Sequence, residues 1–234
     1  MILINTLNPS ITVLKEKDMK VLADLVKDTD ILILSDEVYG HITFDEQQHQ
    51  SVVLYPELAK RAIIVYSFGK TFHVTGWKLK YAMASEVLMK EFQKALQFNA
   101  FSVNQPFQYG LYEYLKELIH YLKLPEFYQE NRDIFLDAIK DSKLVFTPPE
   151  GTYFQTVSYR KISDKKDTDF TVRLIKEKKL ACIPVSAFQK DNRDEKMLRF
   201  CFAKENDSLK KPLRFSILFK KHYFYPAKPQ IIRN

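Results

Sequence analysis

Short, uninterrupted apolar runs recur through the first third of the chain, at residues 1–4, 31–34 and 62–66, with a fourth at 81–84. Runs of this length, too short for helices and bounded by polar residues, are the pattern of strands buried on both faces, as in parallel sheets covered by helices. Between the first two runs, Met19, Leu22, Ala23 and Val26 follow the i, i+3, i+4, i+7 spacing of an amphipathic helix. Strands that alternate with helices or loops in this way predict an open α/β sheet. Binding sites in such sheets lie beyond the carboxyl ends of the strands. The polar residues in those places are Asn8 after the first run, Asp36 and Tyr39 after the second, and Ser67 and Lys70 after the third.

The pattern changes from Glu86 onward. Leu88, Phe92 and Ala95 are helically spaced, Gln105-Pro106 opens a second helical region, and Leu124-Pro125 interrupts it before Phe127, Ile134 and Ala138 continue. Short runs at 144–146, 153–157, 181–184 and 198–202 then read as strands around a helix over 169–178, which predicts a smaller α+β domain. Pro148-Pro149-Glu150-Gly151 reads as a turn. The expected organisation is 1–104 as part of a large domain, 105–209 as a long interdomain helix with a small domain, and 210–234 as a basic and aromatic tail.

Composition narrows the function classes. A formal charge of +7 raises nucleic acid or a membrane surface as partners, because clustered Lys and Arg bind phosphates. Most of the basic residues alternate with acids, as in Lys15-Glu16-Lys17-Asp18, and read as solvated helix faces. No helix-turn-helix pattern is visible, so nucleic acid is not the expected partner. Cys182 and Cys201 lie apart without metal-ligand spacing, and the histidines show none either, so no metal is expected. Without a long apolar span or a secretory leader pattern, the expected location is cytoplasmic.

The chemistry concentrates around one lysine. Lys70 stands in Ser67-Phe68-Gly69-Lys70-Thr71-Phe72-His73-Val74-Thr75-Gly76-Trp77-Lys78. A lone lysine after a strand is ordinarily a surface residue. As a nucleophile it needs a lowered pKa and an aldehyde held beside it. Ser35-Asp36-Glu37-Val38-Tyr39 follows a buried strand, where an acid can face a pyridine nitrogen and keep it protonated. The alternative role for Asp36 is a helix cap or a surface acid.

Asn8-Pro9, Asp36-Glu37-Val38-Tyr39 and the Ser67 to Lys78 run, in this order, resemble the class I and II aminotransferases of the fold-type I pyridoxal-phosphate enzymes. Phe98-Asn99-Ala100-Phe101-Ser102-Val103-Asn104 and Leu198-Arg199-Phe200-Cys201-Phe202-Ala203-Lys204 are most similar to the methionine and kynurenine branch. The resemblance implies a mostly parallel three-layer sheet domain, present in part, with a smaller C-terminal α+β domain, and pyridoxal 5'-phosphate as cofactor. It implies Lys70 as the Schiff-base lysine and proton carrier, and Asp36 as partner of the pyridine nitrogen. Asn8 and Tyr39 would bond the cofactor's phenolic oxygen, Ser67 and Lys78 its phosphate, and Arg199 the substrate α-carboxylate, a task suited to a two-pronged guanidinium. The implied reaction is transamination between a methionine, aromatic, glutamine or kynurenine type of amino acid and a 2-oxo acid, in a homodimer. Phe72 and Phe101 are either substrate-facing or core, and His73 is a further candidate for a polar contact. The alternatives are an inactive fragment, a noncatalytic binding module on this scaffold, and a carbon–sulfur lyase using the same cofactor.

Four departures from the family pattern bear on activity. Ile11 stands where relatives carry glycine, and a β-branched residue disfavours positive φ. Lys80 also replaces a glycine, so it either blocks close backbone packing or points to solvent. The front segment that in relatives supplies a phosphate loop and a ring-stacking residue does not precede Asn8-Pro9 here, and the tail departs from the family's closing helix. The chain by itself is therefore expected to be inactive.

Overall fold

The computed structural model describes residues 1–4, 8–205 and 209, and the tail over 210–234 lies outside the described residues. The chain divides into two compact units: one holds residues 1–130 with 148–155, the other 131–147 with the described residues from 156 onward.

The first unit is built on a four-stranded sheet in the order β1 (Ile2–Ile4), β2 (Ile33–Asp36), β3 (Ala62–Ser67), β4 (Lys80–Ala84). The first three strands are parallel, with Ile4 opposite Ser35 and Asp36 opposite Val65, whereas β4 runs antiparallel to β3 and pairs Lys80 with Ser67. Helix α1 (Glu16–Val26) forms on the expected spacing and buries Met19 and Val26. Asp18 accepts from the Lys15 backbone N–H at 2.9 Å and so satisfies a free donor at the helix start. Met19 and Val26 pack with Ile33, Val52, Leu58, Ala62 and Ile64, the last five contributed by β2, β3, a 3-10 turn (Val52–Leu54) and helix α2 (Pro56–Ala59).

The strands are not buried on both faces as their continuous apolar composition predicts. Ile33 and Ser35 in β2, and Ala62 and Ile64 in β3, are buried, while Leu34, Asp36, Ile63 and Val65 remain half-exposed. Successive side chains alternate across a strand, so the α1 side of the sheet is closed and the other is only partly covered among the described residues. After a one-turn helix α3 (Phe68–Thr71), helices α4 (Glu86–Asn99), α5 (Gln105–Leu115) and α6 (Ile119–Leu122) follow. Helix α7 (Leu124–Ile139) carries Pro125 within its first turn, where the missing N–H costs nothing. The break expected at Leu124-Pro125 is thus a helix start, and the division between the two units falls inside α7.

The second unit has a three-stranded sheet in the order β5 (Phe154–Ser158), β7 (Met197–Cys201), β6 (Ile183–Pro184), with helix α8 (Asp167–Lys178). Leu198 and Phe202 are fully buried, Tyr159 stacks on Phe170 with ring centroids 4.4 Å apart, and Phe135 packs against Phe200 and Phe202. Asp167 caps a loop instead of facing water: it accepts from the Ser186 backbone N–H at 2.9 Å and the Ser186 hydroxyl at 2.8 Å. Two of the expected strands shrink. Residues 144–146 contribute a single bridge, Val145 to Ser158, and only Ile183–Pro184 of 181–184 pairs, because exposed Val145 and Ile183 gain little burial from a longer ladder.

The segment expected as a turn, Pro148 to Gly151, bends at Glu150 and is tied into the first unit. Gly151 bridges to Thr43, and the Glu150 carboxylate accepts from the Val13 N–H at 2.9 Å and pairs with Lys15 at 3.0 Å. The Glu150 N–H also donates to the Ile11 carbonyl at 3.1 Å.

Candidate active site

Parallel pairing puts the carboxyl ends of β1, β2 and β3 on one side of the sheet. Asp36 is the last residue of β2 and Ser67 the last of β3, two positions beyond the partner of Asp36. Asn8, half-buried, follows β1 in the chain. Asp36 is half-exposed, whereas Ser67 and Tyr39 are buried.

Lys70 reaches this edge because the chain turns sharply after Ser67. The Phe72 N–H closes α3 on the Phe68 carbonyl at 2.8 Å, and the Thr71 hydroxyl donates to the Ser67 carbonyl at 3.2 Å. Gly69 is required here, since a Cβ would lie 2.7 Å from Thr75 Cα. The close approach lets the Thr75 hydroxyl donate to the Gly69 carbonyl at 2.9 Å, which folds the segment after Lys70 back onto it. The Lys70 Nζ lies 6.0 Å from the centre of the Tyr39 ring, so two residues 31 positions apart in the sequence share one place. Lys78 follows a 3-10 turn (Thr75–Trp77) in left-handed conformation at φ 59° and is exposed. Trp77 anchors that turn by stacking on Phe107 at 4.5 Å.

An aromatic wall stands beside Lys70. Tyr39 meets Tyr153 edge-on at 5.4 Å, and Tyr153 packs against fully buried Tyr128. His73 hydrogen-bonds the Tyr128 hydroxyl and stacks on Tyr153. The polar contact expected of His73 is therefore made within the protein. Phe72 helps to line a cavity of about 380 Å³ with His41, Phe68, Thr71, Tyr81 and Tyr121. Burial there pushes the His41 imidazole below its ordinary pKa. Phe101, by contrast, is 86% exposed and belongs neither to the core nor to this cavity.

Arg199 lies in the second unit, on β7, only 7% exposed and with its guanidinium 4.5 Å above the Phe188 ring. It is a buried cation on an aromatic face, not an exposed strand residue.

The two glycine replacements resolve differently. Ile11 adopts φ 61°, so the left-handed geometry is kept at a cost of about 1–3 kcal/mol in strain. Burial of its side chain, 7% exposed, offsets that cost. Lys80 is exposed and obstructs nothing.

The sequence does not single out Glu37, yet its side chain is buried and bonded on both oxygens. Its carboxylate accepts from the Ser35 hydroxyl at 2.9 Å, the Val52 N–H at 3.1 Å and the Tyr66 hydroxyl at 2.5 Å, and pairs with His49 at 2.8 Å. Burial pushes its pKa up, but the bonds from His49 and Tyr66, the His49 charge and the Ser51 hydroxyl outweigh this and hold it at about 2. The signal that could have found it is a second acid directly after Asp36, following a strand whose other residues are apolar or hydroxylic.

Comparison with known proteins points to a family. An Escherichia coli methionine aminotransferase is 43% identical over 203 residues, covering 86% of this chain and 53% of that protein. The bovine kynurenine–oxoglutarate transaminase 3 is 32% identical over 223 residues, covering 86% of this chain and 49% of its own length. The chain thus spans about half the length of these curated relatives. The solved structure of YbdL from Escherichia coli, identified as having a methionine aminotransferase function, matches with a TM-score of 0.86 at 42% identity, over 91% of this chain and 57% of that one. N-succinyldiaminopimelate aminotransferase from Mycobacterium tuberculosis matches with a TM-score of 0.85 at 27% identity, over 92% of this chain and 57% of that one. With the family model for aminotransferase class I and II matching residues 1–213, on a fold that gathers Asp36, Tyr39, Ser67 and Lys70 at one sheet edge, the chain belongs to the class I and II aminotransferases.

Proposed function

We propose that this chain forms the greater part of the catalytic machinery of a pyridoxal-phosphate-dependent transaminase. The observation that carries the reading is the approach of the Lys70 amine to Tyr39, at the strand ends that also bear Asp36 and Ser67. A carboxylate, an amine, a phenol and a hydroxyl form a donor set that fits a pyridine aldehyde bearing a phosphate. When bound, the cofactor supplies an electron-withdrawing ring that stabilises negative charge at the substrate α-carbon. In this reading Lys70 holds the cofactor covalently and moves the α-proton, and the Asp36 carboxylate keeps the ring nitrogen protonated. Tyr39 and Asn8 bond the phenolic oxygen, and Ser67 and Lys78 hold the phosphate. Arg199 clamps the substrate carboxylate.

The substrate pair is an amino acid with a neutral, bulky side chain and a 2-oxo acid. Relatives named for methionine and kynurenine support that class. Residues 1–104 then belong to the cofactor-binding domain, and 105–209 to the interdomain helix and small domain. The working form is a homodimer, consistent with the 89% and 86% exposure of Phe98 and Phe101. No helix among the described residues is long and apolar enough to cross a membrane, and the proposed location is cytoplasmic.

The test is made on the complete polypeptide carrying these residues. Pyridoxal phosphate should bind with a visible absorption band, and borohydride should fix it to the peptide containing Lys70. Amino-group transfer from methionine or phenylalanine to a 2-oxo acid should saturate. A label on a different lysine, or no transfer, refutes the reading.

Arg199→Ala supplies an independent check. Removing one partner of a buried charge pair costs at least about 2 kcal/mol, so KM for the amino acid should rise roughly thirtyfold or more while cofactor retention stays the same. Unchanged KM would place the carboxylate clamp elsewhere.

A further inference from the structure

Glu37 stands between Asp36 and Tyr39, yet its side chain is 3% exposed and takes no part in the proposed contacts to the cofactor. Side chains alternate across a strand, so Asp36 and Glu37 leave the end of β2 on opposite faces. Every acceptor position of the Glu37 carboxylate is used. One oxygen receives the Ser35 hydroxyl and the Val52 N–H, and the other receives the Tyr66 hydroxyl and faces His49 Nε2. These donors come from β2, the 3-10 turn, β3 and the loop between β2 and that turn. The main chain of Glu37 is tied as well, its N–H donating to the Val65 carbonyl and its own carbonyl accepting from the Gly40 N–H, both at 2.9 Å. His49 rests directly on the turn, because a Cβ on Gly40 would lie 2.9 Å from His49 Cδ2.

A buried carboxylate is tolerated only when its lone pairs are satisfied. That requirement makes the network an all-or-none clamp: the ion keeps its place only if β3, the 3-10 turn and the loop keep theirs. The low pKa of Glu37 agrees with such a fully bonded ion. The segment so clamped, from Asp36 to Gly40, carries two of the residues proposed to touch the cofactor.

We propose that Glu37 is the positioning residue of this site: through Tyr66, His49 and Val52 it fixes the chain between Asp36 and Tyr39, and so the reach of both side chains. The proposal rests on the cofactor reading of Asp36 and Tyr39. It makes the Glu37–His49–Tyr66 cluster part of the function while touching neither ring nor substrate.

The test uses Glu37→Gln in the complete polypeptide, with Tyr66→Phe as a milder variant that removes one donor. Glutamine keeps the shape but replaces one acceptor oxygen with a donor, so the four donors can no longer all be received. Amides of Gly40 and Ile42, bonded to Glu37 and Tyr39, should exchange at least tenfold faster, while the Ile33 amide, bonded to the Arg61 carbonyl, keeps its rate. The dissociation constant for pyridoxal phosphate should rise at least tenfold. On an Asp36→Asn background the same substitution should add less than about threefold, because both changes act through one contact. Tyr66→Phe should shift the same quantities in the same direction by less. Unchanged exchange at Gly40 overturns the proposal, and so does an undiminished effect on the Asp36→Asn background, which marks a residue that only supports the fold. If the unsubstituted protein binds no pyridoxal phosphate, the functional reading fails separately, and exchange at Gly40 and Ile42 decides the positioning alone.

Discussion

Lys70→Ala is expected to leave a folded protein with no detectable transamination. The substitution removes a half-exposed side chain from a one-turn helix that is closed by the backbone bond from Phe72 to Phe68 and by the Thr71 and Thr75 hydroxyls. None of those bonds involves the lysine amine, so little stability should be lost. Activity is another matter. A positioned proton carrier contributes about 10²–10⁴-fold on its own, and the same amine also holds the cofactor. The loss in kcat should therefore reach at least about 10³-fold. Borohydride should no longer fix pyridoxal phosphate to the Ser67–Lys78 segment, and thermal unfolding should stay within a few degrees of the unsubstituted protein. Retained labelling of that segment through Lys78 would show that the wrong amine has been assigned. Collapse of the fold would show that Lys70 has a structural role absent from the geometry.

Asp36→Asn is expected to produce the second largest loss. Asp36 ends β2 opposite Val65, at the same strand edge as Ser67, and remains half-exposed on the less covered face. An amide of equal size preserves the shape but removes the charge that keeps a pyridine nitrogen protonated. A preorganised charge aimed at the reacting group contributes about 10²–10³-fold, so kcat should fall by that amount, with weaker retention of the cofactor. Glu37, next in sequence, does not substitute for it, since its carboxylate is committed to Ser35, Val52, Tyr66 and His49. Turnover that survives Asp36→Asn would remove Asp36 from the site. A rise in KM for the amino acid with kcat unchanged would move it to substrate binding.

Residues that act through local geometry were readable from the chain. Met19, Leu22, Ala23 and Val26 specify α1 because a 3.6-residue period is a property of neighbours in sequence, and Asp36, Ser67 and Lys70 follow strands whose apolar runs mark their ends. Composition could not tell how completely those runs are covered, because burial of Leu34 or Val65 depends on which elements pack over each face. The left-handed φ of Ile11 contradicts its local preference and is accepted because its side chain gains burial. The Glu37 clamp was hidden for the same kind of reason. Its partners His49, Val52 and Tyr66 lie 12, 15 and 29 positions away, and a carboxylate reads as a surface residue until the fold brings donors to it. The order and spacing of motifs thus determined the family and pointed to the sheet edge near which Asp36, Ser67 and Lys70 lie, since those residues sit at or just after the ends of apolar runs. Only the tertiary structure decided that the Glu37 carboxylate is buried among donors while Asp36 stays half-exposed, because that depends on which donors the completed fold delivers to each carboxylate.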